Sequence, residues 1–174
     1  QSLLAGITLD TRNFALHTGV RTFEAAAYLR RMGAQTQEVK KLFCDTLESY
    51  TYKAKLVAAA QVYEGCAISV SDDVPADMMV VVPQAANDLL SISGVEASFV
   101  AVDTGSGINV SARSMGDVNV QVIMEQLGGG GHLTMAGAQL REATLKETKQ
   151  RLMDIIHEYR ENQRAEARGA KSRA

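Results

Sequence analysis

Residues 97–114 read ASFVAVDTGSGINVSARS, two apolar stretches on either side of a short polar one. The flanking stretches are rich in Val, Phe and Ile, which favour strands, and the middle carries the Asp, Ser and Gly residues of a tight turn. The pattern predicts two strands joined by a hairpin at DTGSG (103–107). This hairpin is the strongest indication of a sheet in the chain.

The segments before the hairpin continue a pattern of short elements bounded by Gly, Ser, Asp and Pro. CAISVS (66–71) and MMVVVP (78–83) predict two strands, and PQAANDLLSISG predicts a helix that begins at Pro83 and ends at Gly94. Strands that alternate with helices in this way indicate an α/β fold with a mixed sheet.

Two helices and an edge strand are predicted after the hairpin. DVNVQVIMEQLG has apolar residues at helical spacing and Asp117 as its expected cap. GAQLR (137–141) is predicted to be an edge strand, and residues 145–160 the last helix. The charged segment 161–174 is predicted to be a disordered tail.

The start of the chain adds one strand and one helix to these predictions. LLAGITLDTRNF (3–14) predicts a strand that ends at Asp10 and leads into a polar turn. RTFEAAAYLRRMGA predicts a helix with Thr22 as its cap and Gly33 as its stop.

Composition and charge exclude several classes of protein. The net charge of -2 argues against a broad basic face that would bind duplex DNA. The longest run of large apolar residues, Met78–Val82, is far too short to cross a bilayer. Cys44 and Cys66 form no CxxC motif and are interpreted as buried thiols. Six methionines are interpreted as core residues: Met32, Met78, Met79, Met124, Met135 and Met153.

The end of the hairpin, SARS (111–114), carries the first candidate site. Side chains alternate between the two faces of a strand, so Ser111 and Arg113 are expected to share one face. A guanidinium with a hydroxyl beside it can bind a phosphate or a nucleobase. The alternative is a solvated surface arginine.

The stretch LGGGGHLT (127–134) carries the second candidate site. A plain interpretation is a helix cap followed by a loose surface loop. A functional interpretation places a helix over LTMAGAQ (133–139), with its N-terminus and the glycine backbone forming an anion site beside His132. No Lys-Ser/Thr pair follows the glycines, so the stretch is not a Walker A loop.

Asp10 is the third candidate, because open α/β sheets usually place their chemistry at the carboxyl ends of strands. It could equally be a turn-forming aspartate. His17 and His157 have no acidic or thiol neighbours at ligand spacing and are interpreted as ordinary histidines. A lone carboxylate cannot complete a metal centre.

Taken in order, AGITLDTRNF, RTFEAAAYLRRMGA, SARS and GGGGHLTMAGAQL resemble the C-terminal half of the DHH phosphoesterases. The resemblance covers about residues 1–160 and is strongest to the membrane-anchored cyclic-di-AMP phosphodiesterases of the GdpP type. It implies a two-lobed α/β fragment divided into four parts. These are the end of the DHH catalytic domain (1–34), connecting helices (35–62), a DHH-associated nucleotide-binding domain (63–160) and the tail (161–174).

The resemblance also implies roles for single residues. Asp10 would be the last aspartate of a site for two manganese ions, and Arg113, His132 and Gly129–Gly131 would bind the substrate, with Ser111 beside them. The DHH triplet and the other metal ligands of the family are absent from this sequence. The chain alone is therefore expected to be inactive, and hydrolysis is expected in a parent protein that carries the missing N-terminal DHH lobe.

The implied partners and location follow from the same resemblance. The substrate would be cyclic-di-AMP, hydrolysed to linear pApA, or a short linear dinucleotide, and not duplex DNA. The chain would be a cytoplasmic part of a membrane-anchored bacterial protein, with a homodimer as a candidate assembly. Two alternatives stay open: an oligoribonuclease acting on short RNA, and a nucleotide-sensing module without catalysis.

Overall fold

Two units make up the chain in the computed structural model, which describes residues 1–16 and 18–171. The first unit is Gln1–Thr46 and the second is Leu47–Ala174. The described elements of the first unit are all helices, whereas the second unit contains a six-stranded mixed sheet. The α/β class predicted from the sequence is confirmed.

The described residues of the first unit form the helices α1 (Ser2–Asp10), α2 (Val20–Arg31) and α3 (Thr36–Lys41). Its small core consists of four buried residues: Leu4, Ala5, Ala34 and Val39.

The strand predicted at the start of the chain is wrong, because that segment forms α1. Leu4, Thr8 and Thr11 are buried or half-buried at three- and four-residue spacing, whereas Leu9 is exposed. This is the periodicity of a helix, and a short apolar run does not by itself distinguish a helix from a strand. Asp10 therefore lies at the end of a helix and not at the end of a sheet strand.

Helix α2 confirms the predicted helix but is capped differently. It begins after Gly19, and Thr22 lies at its third position, where the Thr22 Oγ1 accepts a hydrogen bond of 3.2 Å from the Gly19 N–H. Gly33 follows the end of the helix with a φ of 93°. A left-handed glycine just beyond the last turn is a common helix stop.

The described residues of the second unit form four α-helices, a short 3-10 helix and six strands. Its helices are α4 (Leu47–Ala58), α5 (Val81–Leu89), α6 (Val120–Glu125) and α7 (Leu145–Lys171). Its strands are β1 (Gln61–Tyr63), β2 (Cys66–Ser71), β3 (Ala97–Asp103), β4 (Ile108–Ser114), β5 (Gly130–His132) and β6 (Met135–Leu140).

The strand order in the sheet is β1-β2-β3-β4-β6-β5. Strands β2 and β3 are parallel and are joined through α5, and the other neighbouring pairs are antiparallel. The hairpin predicted at DTGSG is confirmed, since β3 and β4 pair from Asp103↔Ile108 onward and the Gly105 N–H donates to Asp103 Oδ1.

The sheet has a core on both faces. Phe99 of β3 belongs to the core on the side of α6 and α7, together with Ile123 and Leu152. Its neighbour Val100 belongs to the core on the side of α4 and α5, together with Leu89. Since successive residues of a strand point to opposite faces, β3 is a central strand buried on both sides.

The strand predicted over MMVVVP is also wrong. A single turn of 3-10 helix spans Ala76–Met78, and α5 follows it. Val82, Ala85 and Leu89 lie buried at helical spacing against the sheet, which requires a helix here. Pro83 is the third residue of α5, where its missing N–H costs no helical hydrogen bond.

Two helix boundaries of the second unit also differ from the predictions. Asn119, not Asp117, caps α6, since Asn119 Oδ1 accepts from the Gln121 N–H at 3.1 Å. Helix α7 continues to Lys171, through most of the segment predicted to be disordered, and residues 172–174 lie outside the described ones. Helix-forming Glu, Arg and Ala residues and the ion pair of Glu161 with Arg164, one turn apart, favour this extension.

The described helices include none that is long and apolar enough to cross a membrane. Cys66 is buried as expected, and burial raises the pKa of its thiol to about 11, which keeps it neutral and unreactive. Cys44 is exposed, so its interpretation as a buried thiol is wrong.

Candidate functional site

One row of residues across the sheet brings two of the predicted site residues onto the same face. Arg113 of β4 is the Cα partner of Met135 of β6, which in turn is the partner of His132 of β5. Residues directly opposite each other in antiparallel strands project to the same side. Arg113 and His132 therefore stand on one face with Met135 between them, about 10 Å apart at the usual strand spacing.

The next row on the same face contains three further residues. Ser111 pairs with Gly137, and Gly137 pairs with Gly130. The two glycines leave the backbone of β6 and β5 bare next to the Ser111 hydroxyl. The structure thus brings Ser111, Arg113, Gly130 and His132 together on one surface, which we call the site face.

The guanidinium of Arg113 is held along its own strand. Its Nη1 donates hydrogen bonds to Ser111 Oγ at 3.3 Å and to the Ala112 carbonyl at 2.8 Å. Because the side chain is half-buried and oriented by these contacts, a ligand would find the cation already positioned beside the hydroxyl. The alternation of side chains along the strand predicted this pairing.

A groove borders the site face on the side of α5. It has a volume of about 310 Å³, its floor includes Ser111 and Gly137, and its wall is formed by Met79, Val82 and Pro83. Helices α6 and α7 cover the opposite face of the sheet. The groove and the side chains of Arg113 and His132 therefore lie on the same face of the sheet.

The four consecutive glycines have different structural roles. Gly128, with a φ of 77°, ends the preceding helix, and the Gly129 N–H donates to the Met124 carbonyl at 2.9 Å. A Cβ on Gly129 would overlap with the Gly137 carbonyl, and one on Gly131 would overlap with the Met135 carbonyl. These glycines permit the close packing of the glycine run against β6.

Gly130 differs from its two neighbours. A Cβ on Gly130 would have no atom within 4 Å, and its φ is not positive. The fold therefore leaves room for a side chain here. A requirement for glycine at this position would have to come from a ligand.

The helix predicted over LTMAGAQ is wrong, because Met135–Leu140 is strand β6. Ala136, Ala138 and Leu140 are buried, and the residues between them are exposed or half-buried. The period of two belongs to a strand, but small residues on both faces obscure it in the sequence. The anion site at a helix N-terminus is therefore absent from this loop.

The glycine substitutions give a first testable prediction. Gly129→Ala and Gly131→Ala are each expected to lower the free energy of unfolding by about 1–3 kcal/mol, because the new methyl groups overlap with backbone atoms of β6. Gly130→Ala is the matched control and should change it by less than about 0.5 kcal/mol. Urea denaturation followed by circular dichroism measures all three, and equal effects would contradict these assignments.

Asp10 lies in the first unit and is exposed at the end of α1. The three residues Arg12, Asn13 and Phe14 that follow shortly after have φ values of 45°, 58° and 65°. The left-handed backbone conformation costs about 1–3 kcal/mol for each non-glycine residue, and such strain is common next to functional sites. Phe14 stacks on Phe23 with ring centroids 5.5 Å apart.

The described residues contain no group of three or more His, Cys, Asp or Glu side chains that could hold a metal ion. Asp10 by itself does not fit a site for two manganese ions. His157 pairs with Glu64, Nδ1 to Oε1 3.0 Å, away from the site face, and His17 lies outside the described residues.

Sequence reasoning missed part of the site face. Met135, interpreted as a core residue, is 50% exposed between Arg113 and His132. Gly137 was not distinguished from other small residues. The pairing of β6 with β4 places both residues, and nothing in the local sequence signals that pairing.

The sequence of the chain is similar to a known domain family and to characterised proteins. Residues 66–162 match the family model described as the DHHA1 domain. The chain is 51% identical over 160 residues to the cyclic-di-AMP phosphodiesterase GdpP of Geobacillus thermodenitrificans, covering 91% of this chain and 24% of that protein. It is 30% identical over 161 residues to the bifunctional oligoribonuclease and PAP phosphatase NrnA of Thermus thermophilus, covering 90% of this chain and 49% of that protein.

The fold is also similar to that of a solved structure. The crystal structure of an exopolyphosphatase-related protein from Bacteroides fragilis superposes with a TM-score of 0.78 at 17% identity, covering 88% of this chain and 48% of that one. At this identity the likeness shows the fold alone. The chain spans about a quarter to a half of the length of the two sequence relatives.

Proposed function

The chain belongs to the DHHA1 domain family, and from this premise we propose that it is the substrate-binding portion of a cyclic-di-AMP phosphodiesterase. The observation that carries the proposal is the site face, where the row of Arg113, Met135 and His132 lies next to a bare glycine backbone and an open groove. A phosphodiester is an anion that favours charge-assisted hydrogen bonds from such groups. The 51% identity to a protein named GdpP supports this substrate class.

Hydrolysis to pApA is proposed for the complete parent protein. The described residues of this chain contain no group that fits a metal centre, so the manganese ions expected from the resemblance would need ligands from elsewhere, with Asp10 as a single ligand from this chain. Part of the parent outside this chain would supply those ligands and a membrane anchor. The portion described here would lie on the cytoplasmic side and bind the dinucleotide.

If this chain binds the substrate and the rest of the parent supplies the metal ligands, the 174-residue chain alone is expected not to hydrolyse cyclic-di-AMP when Mn²⁺ is added. Chromatographic separation of cyclic-di-AMP from pApA measures the turnover, with the complete parent as the positive control. Turnover by the isolated chain at a rate comparable with the parent would show that its own residues form a working centre, contrary to the proposal.

His132→Ala is expected to lower kcat/KM of the complete parent for cyclic-di-AMP by about tenfold. His132 is exposed on an edge strand, so its hydrogen bond to a phosphate is expected to lie near the lower end of the range for charged groups. His157→Ala, an exposed histidine on the other side of the sheet, is the control and should leave the rate unchanged. An unchanged rate for His132→Ala would leave His132 without a role in substrate binding.

A second candidate function, degradation of short linear RNA, is favoured by the 30% identity to an oligoribonuclease. The two functions differ in whether the preferred substrate is cyclic. Comparing kcat/KM of the complete parent for cyclic-di-AMP and for linear pApA distinguishes them. We expect the cyclic substrate to be preferred, and a preference for the linear one would favour the second candidate.

A further inference from the structure

Two serines on the side of the sheet that α4 and α5 cover are fully buried and bind the ends of those helices. Ser98 of β3 donates a hydrogen bond of 2.6 Å from its Oγ to the Ala86 carbonyl of α5. Ser69 of β2 donates a bond of the same length to the Leu56 carbonyl of α4. Each of these bonds attaches the last turn of a helix to the sheet.

Both carbonyls lie where the helix changes its hydrogen-bond pattern. In a continued α-helix the Leu90 N–H would donate to Ala86, but it donates to the Asn87 carbonyl at 3.2 Å. The Ala60 N–H likewise bonds three residues back, at 3.2 Å, and not to Leu56. Because a buried carbonyl without a partner costs free energy, each serine satisfies a group that the end of its helix leaves free.

Ser98 lies directly beside Arg113. The two residues are Cα partners in β3 and β4, about 5 Å apart, so their side chains stand next to each other on the same face of the sheet. Helix α5 contacts both strands, and its last turn is bound to Ser98. The Nε of Arg113 is buried. The last turn of α5 therefore bounds the Arg113 side chain on the side of β3.

Ser69 provides a matched comparison. It makes the same kind of bond with the same burial, but Val100 of β3 lies between it and Ser111 of β4 in the register of the sheet. Helix α4, which Ser69 binds, contributes none of the described residues that line the groove. Loss of either hydroxyl should therefore cost similar stability, whereas only Ser98 adjoins a residue of the site face.

We propose that Ser98 is a positioning residue that, by fixing the last turn of α5 to β3, keeps the Arg113 guanidinium in the orientation that binds a phosphate. The inference rests on the proposed function, in which Arg113 contacts the substrate. Without the hydroxyl, the Ala86 carbonyl regains a partner only through water or a shift of α5, and either change gives Arg113 room to leave Ser111. A mobile guanidinium loses more side-chain entropy on binding, which weakens the complex.

Calorimetric binding of linear pApA to this chain tests the role of Ser98. Ser98→Ala is expected to raise Kd about fivefold, a coupling typical of residues in contact. Ser69→Ala is the control and should leave Kd within about twofold of the wild type, as expected for a distant site. Urea denaturation should show similar losses of stability for the two variants.

A double-mutant cycle shows whether the effect passes through Arg113. In an Arg113→Ala background the guanidinium is gone, so Ser98→Ala should change Kd by less than about twofold. Ser98→Cys keeps the volume with a weaker donor, and its Kd should lie between those of the wild type and Ser98→Ala. If Ser98→Ala does not fold, Ser98→Cys and Ser69→Cys provide the same comparison.

The possible results separate the inference from the function on which it rests. Equal effects of Ser98→Ala and Ser69→Ala on Kd, or an effect of Ser98→Ala that persists without Arg113, would overturn the positioning role and leave the proposed function intact. A wild type that does not bind pApA would overturn the proposed function and the positioning role together.

Discussion

Phe99→Ala is expected to lower the free energy of unfolding of the second unit by about 3–5 kcal/mol. Phe99 is fully buried at the centre of β3 and is among the largest buried side chains of the chain. Its removal loses the transfer free energy of the ring and leaves a cavity between the sheet and α6 and α7. The surrounding helices are tied to a sheet that is packed on both faces, so they can only partly close that cavity.

Urea denaturation followed by circular dichroism measures this loss. Leu133→Ala is the control, because Leu133 is a large apolar residue that is 48% exposed, and its loss should cost less than about 1 kcal/mol. A cost below about 1.5 kcal/mol for Phe99→Ala would mean that the core on this face is loosely packed or that it collapses around the missing ring.

The site depends on the same strands as this core. Ala112 and Ala136 pack on the face that contains Phe99, and their neighbours Arg113 and Met135 project from the other face. Any shift of β4 or β6 toward a cavity would therefore move the site face as well. For this reason, the effects of site substitutions on binding should be measured in variants whose stability is unchanged.

The sequence predicted the elements that depend on local patterns. The hairpin over 97–114 is determined by strand-forming residues and by a turn of Asp, Ser and Gly, and strand β2 is a similar apolar run. The start of the chain and MMVVVP were assigned to strands and are helical. In both cases a short apolar run fits either element, and the decision comes from tertiary packing that the local pattern does not contain.

The site was predictable in part for the same reason. Ser111 and Arg113 follow from alternation along one strand, and the resemblance indicated His132. The positions of Met135 and Gly137 relative to them follow from the register of β4 with β6, which are joined through a helix and β5. Such non-local pairing has no local sequence signal. The helix interpretation of LTMAGAQ (133–139) also assigned these residues to the wrong element, although GAQLR (137–141) was predicted to be a strand.

Arg113→Ala is expected to weaken the binding of linear pApA by about 1.5–3 kcal/mol, which is roughly a 10- to 150-fold rise in Kd. The guanidinium offers several donors in a planar fork, and its contacts with Ser111 and the Ala112 carbonyl hold it ready for a phosphate. Alanine removes both the charge and the donors, and the two rows of the site face given above contain no other Arg and no Lys.

Calorimetry on the wild type and on three variants tests this role. Arg113→Lys keeps the charge without the fork and should recover only part of the lost affinity. Arg151→Ala removes an exposed arginine from α7, on the opposite face, and controls for the change in net charge. If Arg113→Ala binds pApA as tightly as the wild type, or if Arg151→Ala weakens binding equally, Arg113 makes no specific contact with the phosphate. Arg113 would then be a structural residue of β4, held only by its neighbours in the strand.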